Sequence, residues 1–136
     1  PIVALVAAVF IAAEMFLLPR YHDYAVRSQV SEVLRGAARV RNSIHEFYLA
    51  NKRLPNEEEA AGFAQPAPSG NIGTVRYDAR RKAVFVEVNL PEHKHVHRKR
   101  IALAADESAA GVQWKCMTVD LPARELPLNC REHFPP

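Results

Sequence analysis

Two apolar patterns of different period share the first third of the chain. Residues 2–18 (IVALVAAVFIAAEMFLL) are uncharged except at Glu14. As a helix rising ~1.5 Å per residue, this stretch reaches about 26 Å, slightly under the ~30 Å hydrocarbon core of a bilayer, so it nearly spans one. A secretory signal peptide has a shorter apolar core that ends in a small-residue cleavage site. Here the apolar run passes into more helix. From Val26 the apolar positions Val26, Val30, Val33, Ala37, Val40, Ile44 and Phe47 step by four and three alternately, drawing one stripe along a helix. Arg27, Glu32, Arg35, Arg39, Arg41 and Glu46 lie off that stripe. The pattern predicts one rod with two halves, the first apolar all round, the second with a single face to bury. Pro19 lacks an amide hydrogen, so a kink is expected where the halves meet. Gly36 lowers helix propensity without interrupting so regular a pattern.

Beyond the rod, Asn51 is expected to close the helix, and Pro55 prevents its continuation. Residues 57–73 have no sustained period and read as a loop with one helical turn at 57–61. Strands follow: 74–78 and 83–90 alternate around a polar turn and form a hairpin, 95–104 gives a third strand, and 112–119 a fourth after a turn at 106–111. Consecutive strands with short turns imply an antiparallel meander with one face buried. The stripe is its natural cover. The fold class is therefore α+β, a long N-terminal helix packed on a four-stranded antiparallel sheet.

Composition adds little beyond one domain. The 136 residues are 49% hydrophobic and 24% charged, ordinary for a globular chain, and a net charge of +3 is too small to argue nucleic-acid binding from totals. The two cysteines, Cys116 and Cys130, are compatible with one bridge formed in an oxidising compartment. Such a bridge either staples an irregular tail or displays a crosslinked loop; closing about fifteen residues stabilises by roughly 3 kcal/mol in the chain-entropy model. Two cysteines alone do not complete a zinc tetrahedron, and there is no CxxC for thiol chemistry.

Few residues carry candidate chemistry. Glu14 either reaches the membrane interface and stays hydrated or, in an assembly of copies, meets a cation of a neighbour such as Arg20 or an N-terminal amine. Tyr21, His22 and Tyr24 suit either an interfacial belt or helix packing. In the run 92–100 (EHKHVHRKR), His93, His95 and His97 would share one side of a strand, where metal ligation needs converging side chains and exposed histidines on a basic turn are the commoner case. Lys94, Arg98, Lys99 and Arg100 form either a solvated face or a contact for DNA or another acidic ligand. Trp114 is expected in the core or against the bridge sulfurs. No Ser/His/Asp spacing, glycine-rich phosphate loop or HExxH is present, so neither an enzyme nor a cofactor is expected.

Two strings carry a resemblance. Residues 19–34 (PRYHDYAVRSQVSEVL) resemble the helical N-terminal region of type IV pilins, where an apolar helix leads into Pro-x-Tyr-x-Asp-Tyr-x-x-Arg-x-Gln-Val-Ser-Glu. The segments WKC (114–116) and LPLNCR (126–131) resemble the C-terminal disulfide loop of the same family, in the same order. The chain departs from the family where, aligned on Pro19, an acidic residue would fall on Ile2 and a helix-loosening Gly on Ile11. The usual N-terminal Phe and processing site would fall upstream of Pro1. The resemblance implies a pilin fold with a Cys116–Cys130 loop, in two parts. Residues 1–20 are the membrane anchor and later filament core, and residues 21–136 the globular head with the second half of the helix. It implies a subunit held in the bacterial inner membrane, then extracted by the type IV pilus machinery and polymerised with copies of itself into an extracellular pilus for adhesion, twitching motility or DNA uptake. It also implies subunit contacts at the connection after the helix. Ile2 favours a minor or priming pilin as the first alternative. A second is a membrane-anchored periplasmic module that captures DNA or an acidic ligand without polymerising.

Overall fold

The computed structural model describes residues 1–63 and 68–136, with the side chains of 18–23 outside that description. The kink at Pro19 and the Glu14–Arg20 pair fall partly on those residues and so lie outside the described ones. Helix α1 runs Ile2–Asn51. It ends one residue later than Asn51 alone would close it. Lys52 takes the left-handed conformation (φ 58°) and its N–H donates to the Tyr48 carbonyl at 2.7 Å, while Asn51 Nδ2 donates to the Phe47 carbonyl. The expected turn at 57–61 is helix α2 (Glu57–Ala61), whose Asn56 side chain accepts the Glu59 N–H at 2.8 Å. Its three first-turn glutamates complement the helix dipole.

Four strands, β1 (Ile72–Asp78), β2 (Ala83–Val88), β3 (Arg100–Ser108) and β4 (Gly111–Thr118), form an antiparallel sheet in the order β1-β2-β3-β4. Register aligns Val75 with Val86 and Ile101, and Tyr77 with Val84 and Leu103. Because side chains alternate faces, these residues share one side. That side meets the stripe: Val26, Val30, Val33, Ala37, Val40 and Ile44 are each at most 2% exposed and belong to the same cluster. Phe47 extends it edge-on to Phe63, 6.1 Å between centroids.

Gly36 proves to be a contact point rather than a weak spot. A Cβ there would sit 2.3 Å from Ile72 Cδ1, so the missing side chain lets β1 begin against the helix. Gly73 lies in the register shift between Ile72 and Val75, where a Cβ would press on the Glu87 carbonyl at 3.0 Å. Asn71 Nδ2 donates to Glu32 Oε2 at 3.1 Å, Trp114 Nε1 to His45 Nδ1 at 3.2 Å, and Tyr77 Oη to the Pro55 carbonyl at 3.1 Å. These contacts climb the helix in order. The sheet end carrying Ile72, Val88, Arg100 and Thr118 therefore points toward the first half of α1, and the hairpin turns point the other way.

The third strand both starts and ends later than expected, running to Ser108 through part of the expected turn at 106–111. It starts at Arg100, and residues 90–99 fold into a tight turn instead of a strand from His95. Leu90 and Val96 are both drawn into the core, so the segment must double back between them. His93 and Val96 N–H groups bond the carbonyls of Leu90 and His93, and Arg98 closes the turn with φ 60°. The three histidines consequently do not line one side of a strand.

Cys116 and Cys130 are bridged, Cα atoms 4.6 Å apart, which ties the tail to β4. Beyond the bridge the tail runs beside β4, with Thr118 N–H donating to Glu132 and Phe134 N–H donating to Thr118, both at 2.8 Å. Phe134 then packs edge-on to Phe85 on the second face of the sheet, and the Arg81 guanidinium lies over both rings.

Candidate assembly surface

Residues 2–17 of α1 have no cover from the other described residues. Ile2 is 76% exposed, Phe10 64% and Phe16 69%, and Leu5, Val6, Val9 and Phe10 line a shallow groove of about 220 Å³. A contiguous apolar surface of this kind marks a binding interface. It is apolar all round, because residues 2–17 carry one charge, at the exposed Glu14. Among the described residues, no helix is long and apolar enough to cross a membrane. Tyr24 is 68% exposed at the approach to the head, while Tyr21 and His22 lie outside the described residues.

The basic turn sits at the rod-facing end of the head. Lys94, Arg98 and Arg100 are exposed and Lys99 is half-buried. Asp120 receives the Arg100 backbone N–H, and its Oδ2 lies 4.0 Å from Arg100 Nε, so that cation is partly matched. The histidines are held structurally. His97 Nδ1 accepts the Leu90 N–H at 3.2 Å, His95 Nε2 lies 3.1 Å from Glu125 Oε1, and His93 meets His95 edge-on at 6.0 Å. They do not converge on a metal; among the described residues no cluster of three or more His, Cys, Asp or Glu side chains is arranged to hold one.

Glu125 escaped the sequence reading. It is 1% exposed, its Oε1 also lies 3.5 Å from Arg124 Nε, and its Oε2 is buried without a hydrogen-bond partner. A lone glutamate between Pro122 and Pro127 carries no periodic signal of burial; only the short helical turn that packs on α1 places it inside. Trp114 is half-buried against the core and bonded to His45, as a core residue. On the second face of the sheet, an open groove of about 330 Å³ mixes Arg76, Arg81 and Arg100 with Glu57, Asp78 and Glu87 around Phe85. Opposed charges leave it no net attraction for one sign. At the far end, burial pushes the Tyr77 hydroxyl up to about 12, reinforced by the negative charges of Glu107 and Asp78.

None of these side-chain groups assembles a nucleophile, base and oxyanion donors. The dominant surface is the apolar rod. The family model for pilin, the bacterial filament protein, matches residues 26–131, beginning at the first buried residue of the stripe. The chain is similar to the type IV major pilin protein PilE1 of Neisseria gonorrhoeae, 27% identical over 86% of this chain and 82% of that protein. It is also similar to the fimbrial protein EcpC of Eikenella corrodens, 27% identical over 88% of this chain and 79% of that protein.

Proposed function

We propose, from the premise that this chain belongs to the pilin family and is a structural subunit of a type IV pilus, not an enzyme, that its two parts work in sequence. Residues 1–20 hold it in the bacterial inner membrane before assembly and then form the filament core. Residues 21–136 are the head displayed on the extracellular pilus. The observation that carries this reading is the bare apolar half of α1. A helix apolar on every side needs lipid or other such helices around it, and a bundle of copies replaces lipid with little change in apolar contact. The type IV pilus machinery supplies the work of extraction.

Within the filament, Glu14 meets a cation of a neighbouring subunit, such as Arg20 or an N-terminal amine, since a carboxylate among packed apolar helices needs a partner. Glu14→Gln should lower the yield of sheared filaments; an unchanged yield removes that pairing. Val9→Asp should abolish filaments while the head still folds, read by electron microscopy of sheared surface material. Normal filaments from that variant would overturn the core role of the rod. Ile2, standing where the family carries an acidic residue, favours a second reading as a minor or priming subunit. Trace incorporation in sheared filaments selects it, bulk incorporation selects the main reading, and an absence of polymer leaves a membrane-anchored binding module. A strain lacking the chain, scored for adhesion, twitching motility and DNA uptake, assigns the role of the filament.

A further inference from the structure

The rod-facing end of the head is fixed, and it is positive. The turn 90–99 is anchored there from both sides. Asn89 N–H donates to the Asn71 carbonyl at 2.7 Å, and Asn71 in turn holds Glu32 of α1. Leu90 and Val96 are fully buried beneath the turn, and His95 reaches Glu125. Lys94 and Arg98 are exposed on this turn and Lys99 is half-buried; Arg100 follows in β3, and Arg124 lies by Glu125, which His95 also reaches. The acids at this end are mostly engaged: Glu125 is buried against His95 and Arg124, Asp120 faces Arg100, Glu32 accepts from Asn71, Glu132 pairs with Lys115, and Glu87 shares the second-face groove with Arg100, while Glu92 is exposed on the turn.

Distance along the helix gives that charge a partner. Leu17, exposed and apolar, and Val26, the first residue covered by the head, lie roughly 13 Å apart at the helical rise. When the rod is inserted to Leu17, the rod-facing end of the head hangs over the lipid headgroups, whose layer is roughly 5–7 Å deep on each side of the bilayer. The lower edge of the head, at Val26, then lies within about a Debye length, 8–10 Å at moderate salt, of the headgroup layer.

We infer that the basic turn of Lys94, Arg98 and Lys99 docks the unassembled subunit's head onto anionic lipid headgroups around the inserted rod. This rests on the membrane stage proposed above. Each cation near an anionic surface shifts the docked population roughly fivefold. The sheet end that carries this turn faces the first half of α1, which sets these cations on the membrane side of an inserted subunit and favours a headgroup surface as the partner. Once subunits polymerise, this end of the head no longer faces lipid.

The test uses the full chain in lipid nanodiscs, either zwitterionic or containing anionic phosphatidylglycerol, each doped with a gadolinium-chelating lipid. Paramagnetic relaxation of the amides of residues 92–99 reports their height above the surface, and the distal turn 79–82 is the internal reference. The expected result is relaxation at 92–99 at least fivefold faster in anionic than in zwitterionic discs, with 79–82 unchanged. The effect should vanish at high salt and in Lys94→Gln/Arg98→Gln/Lys99→Gln. Equal relaxation in the two disc types, with the rod inserted, overturns the docking and leaves the anchor intact. A chain that fails to co-elute with discs overturns both. Salt-sensitive signal shifts at this turn with duplex DNA, and none with anionic lipid, overturn it in favour of a nucleic-acid contact.

Discussion

Val9 and Val33 are the same residue on the same helix, yet Val9 is 65% exposed and Val33 is 0% exposed. Local conformation does not separate them. What differs is what the rest of the chain brings to each. Val33 belongs to one buried cluster with Val75, Val84, Val86 and Ile101 of the sheet, so the stripe is covered within one molecule. Around Val9 the described residues supply no cover, and the apolar surface stays open. A single helix thus has one half closed within its own fold and one half left open.

The contrast breaks most visibly when the same substitution is made in both halves. Val33→Asp places a charge in the closed core and should cost at least ~4 kcal/mol, enough to unfold the head or lower its melting temperature by well over 10 °C. Val9→Asp should leave head melting in detergent within about 2 °C of the parent, because an exposed site away from the core changes stability little. Circular dichroism melts of the two variants side by side decide the point; equal losses would erase the division of labour.

Removing the bridge tests how self-contained the head is. Cys116→Ala/Cys130→Ala should lower head stability by roughly 3 kcal/mol, as expected for a loop of this size, in denaturant titrations. Rod helicity in detergent should persist through the same titration range in which the head is lost. A smaller effect comes from Tyr77 at the far end of the sheet. Its hydroxyl is raised to about 12 from 10.0, so the fold favours the neutral form. That contribution is fully present below pH 10 and is lost as pH rises through 12, on the order of 2 kcal/mol. Tyr77→Phe should flatten the alkaline loss; a parent protein equally stable at pH 9 and pH 12 would contradict the burial. Smallest is Trp114→Phe, which deletes the bond to His45 and should cost about 1 kcal/mol.

Much of this architecture was legible before any coordinates. The step of four and three from Val26 to Ile44 named the buried face of α1 residue by residue. The helical turn expected at 57–61 is α2. The alternation in 74–78 and 83–90 located the first hairpin, whose second strand ends at Val88. Residues 95–99 were misread as the start of the third strand because their histidines alternate with other residues, and periodicity cannot distinguish alternation from a turn that happens to bury Leu90 and Val96. Gly36 was read for its propensity alone, since the approach of Ile72, distant in sequence, leaves no local trace. Glu125 was silent for the same reason.

The sequence by itself determined which face of each element is apolar, because a helix repeats every 3.6 residues and a strand every two, and those periods are written in side-chain order. It also determined that the first seventeen or so residues have no polar face to turn to water. Only the tertiary structure decided which end of the sheet lies nearer the rod, that Lys94, Arg98 and Lys99 gather there, and that Glu125 lies buried beside His95. Those facts depend on contacts between residues far apart in the chain, such as Asn71 with Glu32 and Trp114 with His45, and no local period records them.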